Sequence, residues 1–338
     1  MDREKTRHVI SVIKIFAYLL GFFCCQSCTQ EVEVFGSGDP VPVVYCLLNP
    51  FETIQYVRVG KSYLVYNKSI DSPPSVDSLV WPVDAEVYMQ RWENNGPVET
   101  VLFDKIEIFA KDSGFFAVNG LTIYQAEFQP KSGEIYHLFV YFADLDIIVS
   151  GETQIMSSPQ LLDPAIVPGR TITFDTISPY TVRWMAGDYP GLYQGIFKMN
   201  YSESLGNDVE YKSCYFSTPI YYDPGTSVMD EKRLNSQSFF QSVSEQLSPL
   251  NGVHRDVINF EFIFYSAGPD LALLVNSEMN VNVFTSVFGF SNISGGIGVF
   301  SSRIVQRVPN LVPSVMTKYF LSKSMYTKDL GFLKPGDE

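Results

Sequence analysis

Basic residues are scarce in this chain. It has 24 Lys and Arg against 37 Asp and Glu, which gives a formal net charge of −13 over 338 residues. A surface of that sign repels phosphate backbones, so the composition disfavours nucleic-acid binding and direct docking on anionic lipid. Charged residues of both signs make up only 18%, against 46% hydrophobic residues. That balance allows a buried core and argues against wholesale disorder.

Histidine is also rare, and metal-ligand patterns are missing. His8 lies in the N-terminal segment, His137 in an apolar run and His254 beside a turn, without the paired spacing of a zinc site. Asp144 and Asp146 stand two apart on a predicted strand, where both would face one side, but no oxygen-rich loop surrounds them. We predict solvated surface there, and neither a metal nor a cofactor.

Local catalytic motifs are absent too. No Gly-x-Ser-x-Gly string marks a nucleophile elbow. The glycines of 295–298 lack the Lys-Ser/Thr of a phosphate loop, and no helix pattern follows them. They predict a positive-φ turn that leads into a strand over 297–300. We therefore predict that the protein is not an enzyme. The alternative is an uncharacterised hydrolase whose carboxylates come from distant positions.

The N-terminus has the pattern of an export signal. Four basic residues within 1–14 precede an apolar run over 15–23, which is shorter than the ~20 residues of a membrane span. Cys28 follows the small residue Ser27, as in lipoprotein signals, where the thiol of the new first residue is acylated. We predict a signal peptide over 1–27 and lipidation of Cys28. A membrane-anchor helix is the second interpretation, disfavoured because the apolar run is short.

Only two cysteines lie beyond this segment, Cys46 and Cys214. They fall in different predicted domains, and neither has a partner at metal-ligand spacing. Two buried free thiols are favoured over a disulfide between them.

Strand patterns fill the rest of the chain. A polar tether over 28–40 leads to short alternating segments that predict a β-sandwich over 41–156. A Pro-containing linker over 157–169 precedes a C-terminal β-rich domain over 170–308 and a tail over 309–338. The predicted class is mainly β, with two consecutive β-sandwich domains of immunoglobulin or fibronectin type and one or two short helices in the second.

Several elements are specific enough to be tested. Windows 236–247 and 269–278 have helical patterns. The eight-residue apolar run over 135–142 predicts a central strand that is buried on both faces. Asn95-Gly96 predicts a hairpin turn.

Aromatic residues beside turn-like sequence leave two interpretations open. Trp81, Trp92 and the pair Tyr221-Tyr222 could stack on a sugar or peptide ligand if they are exposed. They could equally close the ends of the sandwiches.

One string in the chain resembles a known family. Residues 291–300, Ser-Asn-Ile-Ser-Gly-Gly-Ile-Gly-Val-Phe, resemble the closing motif of a Bacteroidota lipoprotein family known as domain of unknown function 4249. Residues 42–50, 56–59 and 133–140 are similar to earlier strands of that family, in the same order. The resemblance spans roughly 28–303.

The resemblance implies a protein lipid-anchored at the outer membrane and encoded near TonB-dependent transporters. It carries over Cys28 as the lipidation position and no catalytic residue. The expected function is a binding or accessory lipoprotein of such a transporter, with the ligand unidentified and both the periplasmic and cell-surface faces open. The alternative is a structural or adhesive surface protein assembled by strand addition.

Overall fold

The computed structural model describes residues 40–62, 80, 81, 83–108, 121–167, 169–186, 191–225, 229–279 and 290–336. They are mainly β-structure, which confirms the predicted class. The predicted signal peptide, Cys28 and the predicted tether up to Asp39 lie outside the described residues.

Two sets of strands follow one another along the chain. The first set is β1 (Pro42–Leu48), β2 (Ile54–Lys61), β3 (Glu86–Glu93), β4 (Gly96–Ile108), β5 (Leu121–Glu127), β6 (Ile135–Phe142), β7 (Ile147–Gln154) and β8 (Gln160–Asp163). The second set is β9 (Thr171–Ile172), β10 (Tyr180–Met185), β11 (Gly191–Leu205), β12 (Asp208–Ser217), β13 (Tyr221–Asp223), β14 (Asp230–Leu234), β15 (Val253–Ala267), β16 (Ile293–Ser294) and β17 (Ile297–Pro313). Three helices are described: α1 (Ser238–Gln246), α2 (Pro269–Met279) and α3 (Val315–Lys323).

Strands β1 to β7, together with β16 and the first part of β17, wrap around one apolar core. Their order is β17-β1-β2-β5-β4-β3-β6-β7-β16. Strand β4 pairs with two different strands along its length: residues 96–103 pair with β3 and residues 104–108 pair with β5. Alternate side chains of these strands point inward, and the centre includes Val44, Leu138 and Val140, each 0% exposed.

The hairpin between β3 and β4 is offset from its predicted turn. The central residues are Asn94 and Asn95, with φ of 48° and 67°, and Gly96 already belongs to β4. Two positive φ values match a type I′ turn, whose twist suits a two-residue hairpin. The hairpin is therefore present, with its turn one residue earlier than the sequence indicated.

The second core lies between the sheet β12-β11-β15-β17 and the three-stranded sheet β14-β10-β8. Phe260, Phe262 and Phe264 alternate along β15 and are at most 1% exposed, as their period-two spacing predicts. Gly195 faces the same core, where a Cβ atom would lie 2.6 Å from the Phe262 ring. Glycine is needed there because the ring occupies the space of a side chain.

Strand β17 belongs to both cores. Residues 297–302 pair in parallel with β1, and residues 303–311 pair antiparallel with β15. Phe300 accordingly packs in the first core and Val308 in the second. A segment from the C-terminal half of the sequence thus completes the first sandwich.

Both predicted helices are present, and a third was missed. Asn235 precedes α1 and accepts a hydrogen bond from the backbone N–H of Gln237 through its side chain at 2.9 Å. Helix α3 lies in the predicted tail, where Ser314 caps it by accepting from the Thr317 N–H at 3.1 Å. Among the described helices, none is long and apolar enough to cross a membrane.

The tail after α3 packs into the second core. Leu330 and Phe332 are 4% and 8% exposed. The chain runs beside the start of β15, since the Arg255 N–H donates to the Gly331 carbonyl at 2.8 Å and the Leu333 N–H donates to the Arg255 carbonyl at 2.9 Å. The tail therefore adds a short edge beside the start of β15.

The side chain of Arg255 holds this edge in place. Its guanidinium is 2% exposed, donates from Nε to Glu203 at 2.8 Å and from Nη2 to the Ser248 carbonyl at 3.2 Å, and also donates to the Leu330 carbonyl. Removing one partner of a buried ion pair leaves an uncompensated charge, which is strongly destabilising.

Glu203→Gln is therefore expected to lower the free energy of unfolding by about 3 kcal/mol, measured by urea denaturation. Glu231→Gln is the matched control, because its partner Arg233 is 70% exposed and such surface pairs contribute less than about 1 kcal/mol. Equal losses in the two variants would contradict the role of Glu203.

The same pair predicts a pH dependence. Hydrogen bonding by Lys212 and then by Arg255 holds the pKa of Glu203 below its usual value. The carboxylate therefore stabilises the fold above the pKa of an unfolded Glu, about 4.3, and this contribution is lost as pH falls through the lowered folded pKa. Glu203→Gln should remove that part of the acid destabilisation.

Candidate ligand-binding face

Strand β6 is buried on one face only, which corrects the prediction of burial on both. Tyr136, Leu138, Val140 and Phe142 are at most 3% exposed, whereas the residues between them are half-buried or exposed. The strand is central in the hydrogen-bonding direction, between β3 and β7, but only one of its faces meets the core. The apolar side chains of the other face therefore form part of the surface.

The register of β3, β6 and β7 gathers aromatic side chains on this surface. Tyr88 lies opposite Phe139, with ring centroids 5.0 Å apart and planes 17° from parallel. Trp92 packs on His137 with centroids 4.3 Å apart, and Tyr141 follows on the same face of β6. We call these five residues the outer aromatic face. Offset ring pairs of this kind contribute about 0.5–1.5 kcal/mol each, so the rings hold one another in place.

An open groove of about 520 Å³ crosses this face. Its lining residues are Glu86, Tyr88, Gln90, Thr100, Leu102, Phe139, Tyr141, Asp146 and Ile148. Leu102 and Ile148 at its sides are 65% and 62% exposed. Exposed apolar side chains are ordinary when they are scattered, but a contiguous patch with a few polar groups is typical of an interaction site.

The groove carries negative charge. Of the described residues that line it, Glu86 and Asp146 are carboxylates and none is Lys or Arg. At its side, His137 lies 3.6 Å from the Glu152 carboxylate and its side chain is 20% exposed. Aromatic rings beside carboxylates are the surroundings in which proteins bind cationic groups.

Trp81 and Tyr221, two of the other aromatic residues considered as ligand contacts, pack against core residues. Trp81 packs on Phe142 at 5.3 Å, and its indole N–H donates to the Gly60 carbonyl at 2.8 Å, so it closes an end of the first sandwich. Tyr221 packs edge-on against Trp184 in the second core, with centroids 5.7 Å apart. Of these predicted candidates, Trp92 lies on the outer aromatic face.

The glycine-rich string of the family resemblance forms a close backbone contact. Gly298 has φ of 131°, and a Cβ atom there would lie 1.9 Å from the Val44 carbonyl oxygen. Asn292 accepts from the Phe300 N–H at 2.9 Å and donates to the Phe300 carbonyl at 2.7 Å. These contacts hold the turn between β16 and β17 and place the start of β17 against β1, in agreement with the predicted positive-φ turn into a strand.

Asp144 and Asp146 do not lie on a strand, which corrects their predicted placement. Asp144 belongs to a short 3-10 helix, and Asp146 follows it with φ of 50°. Asp146 reaches the groove through this turn, a placement that residue spacing alone does not show. Among the described residues, no group of three or more His, Cys, Asp or Glu side chains could hold a metal ion.

Cys46 and Cys214 are both buried and unbridged, as predicted. Cys46 is 1% exposed in the first core and Cys214 is 3% exposed in the second. Burial raises the pKa of the Cys46 thiol well above its ordinary value and that of the Cys214 thiol to about 12. Both are packing residues, because the thiolate that reacts is disfavoured at neutral pH.

No protein-family model and no curated protein matches this chain. The resemblance to domain of unknown function 4249, with the anchoring and transporter association that it implies, stays a prediction.

Proposed function

We propose that the protein is a lipid-anchored binding protein of the outer membrane that contacts a TonB-dependent transporter through the outer aromatic face. The observation that carries this proposal is the exposed face of β6, where an apolar run that reads as buried instead lines an open groove. The sequence of 1–28 supports anchoring at Cys28, and the resemblance supports the transporter.

The occupant that fits the groove best is a basic, partly apolar polypeptide segment of that transporter. Leu102 and Ile148 offer apolar contact at the sides. Glu86 and Asp146 would pair with Lys or Arg side chains, and the neighbouring rings would add cation–π contacts of about 0.5–1 kcal/mol each at an exposed site. Binding of this kind weakens as salt concentration rises, because the charges are exposed.

Affinity capture of the full-length lipoprotein, tagged at its C-terminus and cross-linked in the membranes of its own bacterium, tests the proposal. We expect the wild type to capture an outer-membrane transporter, and Leu102→Ala/Ile148→Ala to capture several-fold less. Glu86→Lys should weaken capture by charge repulsion. Ile177→Ala is the control, since Ile177 is 81% exposed but lies outside the groove.

Two results would overturn this function. The first is a membrane-anchored wild type that captures no outer-membrane transporter. The second is capture that is equal in Leu102→Ala/Ile148→Ala and in Ile177→Ala, which would separate any transporter contact from the groove that crosses the outer aromatic face.

A further inference from the structure

Strand β12 is an unpaired edge of the large sheet. It is first in the strand order, it pairs with β11, and no described strand lies on its other side. Val209 and Tyr211 on this strand are 54% and 78% exposed. An exposed edge is a template for another strand, and proteins usually shield such edges.

One end of this edge is shielded by α1. The Tyr215 N–H donates to the Gln246 side chain at 2.8 Å, and the Gln246 side-chain amide donates to the Tyr215 carbonyl at 2.6 Å. Gln246 thus takes the place of a neighbouring strand at this residue. The remainder of β12, residues 208–213, has no such cover among the described residues.

The Tyr215 contact also fixes which backbone groups point away from β11. Hydrogen-bonding direction alternates along an antiparallel strand, and the pairing of β11 with β12 runs from Phe216 to Asp208 without a register shift. Because the N–H and C=O of Tyr215 point outward, those of Ser213, Tyr211 and Val209 point outward as well.

This edge is complementary to itself. If two copies pair antiparallel about Tyr211, each Val209 lies opposite the partner copy's residue 213. Each Glu210 then lies opposite residue 212, which is Lys212. Within one copy Lys212 already pairs with Glu210 at 2.7 Å and with Glu203 at 2.5 Å, and at 38% and 68% exposure the Lys212 and Glu210 side chains can share this pairing across the strand pair. Opposite charges placed directly across an antiparallel pair stabilise it, whereas a shift of two residues in either direction would place Glu210 opposite Glu210 or Lys212 opposite Lys212.

We propose that β12 is a homodimer interface, with a second copy of this chain adding its own β12 about a two-fold axis at Tyr211. The paired segment is short, so the area that it buries is small and the dimer is weak in dilute solution. Confinement of many copies on one surface raises the effective concentration and favours pairing.

Disulfide cross-linking of the full-length protein in membranes tests this register. Cα atoms of hydrogen-bonded antiparallel pairs lie about 5.5 Å apart, within the range of a disulfide. Tyr211→Cys should therefore form a dimer on oxidation, visible at twice the monomer mass on a non-reducing gel. Val209→Cys alone should form several-fold less, whereas Val209→Cys co-expressed with Ser213→Cys should cross-link. The native Cys46 and Cys214 do not interfere, because both are buried.

A proline variant separates pairing from chance collision. The Val209 N–H points away from β11, so Val209→Pro leaves the β11 ladder intact but removes a donor from the dimer. Adding it to Tyr211→Cys should reduce the cross-linked dimer several-fold.

The proposal fails if Tyr211→Cys cross-links no better than Ile177→Cys at an exposed turn. It fails equally if proline at residue 209 has no effect while circular dichroism shows the fold unchanged. Neither outcome depends on transporter capture.

Discussion

Gly298→Ala is expected to prevent the protein from folding. The added Cβ would lie 1.9 Å from the Val44 carbonyl oxygen and 2.8 Å from the carbonyl carbon. Both atoms belong to β1, whose Val44 is paired with Gly298 and is 0% exposed. Backbone in the middle of a sheet cannot move aside as a flexible side chain can.

Conformational strain adds to this clash. The φ of 131° at Gly298 lies in a region that residues with a side chain rarely adopt. Together these effects should exceed about 4 kcal/mol, the exceptional range for one substitution and a large share of a domain's total stability. We expect insoluble protein, or a soluble fraction without a cooperative thermal transition.

Gly96→Ala is the matched control for Gly298→Ala. A Cβ atom at Gly96 meets no atom within 4 Å, and its φ is not in the left-handed region. Its melting temperature should stay close to that of the wild type. A Gly298→Ala protein with an unchanged melting temperature would show that β1 and β17 do not approach as described.

Cys28→Ser is expected to release the protein from the membrane. Each buried methylene of an acyl chain contributes about 0.8 kcal/mol, one chain gives only marginal binding, and stable anchoring takes two signals. The acidic chain, with a net charge of −13, supplies no attraction to anionic lipid in place of the acyl groups. We therefore expect nearly all of the Cys28→Ser protein to leave the membrane.

Two measurements check the anchor. Labelled palmitate should be incorporated into the wild type and not into Cys28→Ser, and the variant should move from the membrane pellet to the soluble fraction. Cys24→Ser and Cys25→Ser serve as controls that should leave labelling unchanged. Equal labelling of wild type and Cys28→Ser would remove the basis for an outer-membrane location.

Local sequence patterns predicted the elements whose burial or backbone shape follows from nearby residues alone. Phe260, Phe262 and Phe264 alternate as the residues on one face of a strand do, and all three lie in a core, because successive residues of a strand face opposite sides. The stripe in 236–247 likewise predicted α1. The glycines of 295–298 predicted a turn, since the backbone angles there exclude most side chains.

The candidate site could be predicted only in part. The sequence points to Trp92 as a possible ligand contact, but the pattern of 135–142 predicts a strand buried on both faces. An uninterrupted apolar strand has the same pattern whether its second face meets another layer or forms a binding surface. A further signal lay in Glu86, Tyr88 and Gln90, whose polar character placed that side of β3 at the surface. Because β3 neighbours β6, the outer side of β6 shares that exposure.

The amino-acid sequence by itself determined the mainly-β class, the inward-facing residues of strands such as β15, two of the three described helices and the burial of both isolated cysteines. Only the tertiary structure decided that β17 completes both cores, that one face of β6 is turned to solvent and that β12 is an edge strand among the described residues. The physical reason is the separation along the chain of the residues that determine each feature. Periodicity records how a residue stands relative to its own backbone, whereas strand order depends on pairing between segments far apart in the chain, and no short pattern contains that information.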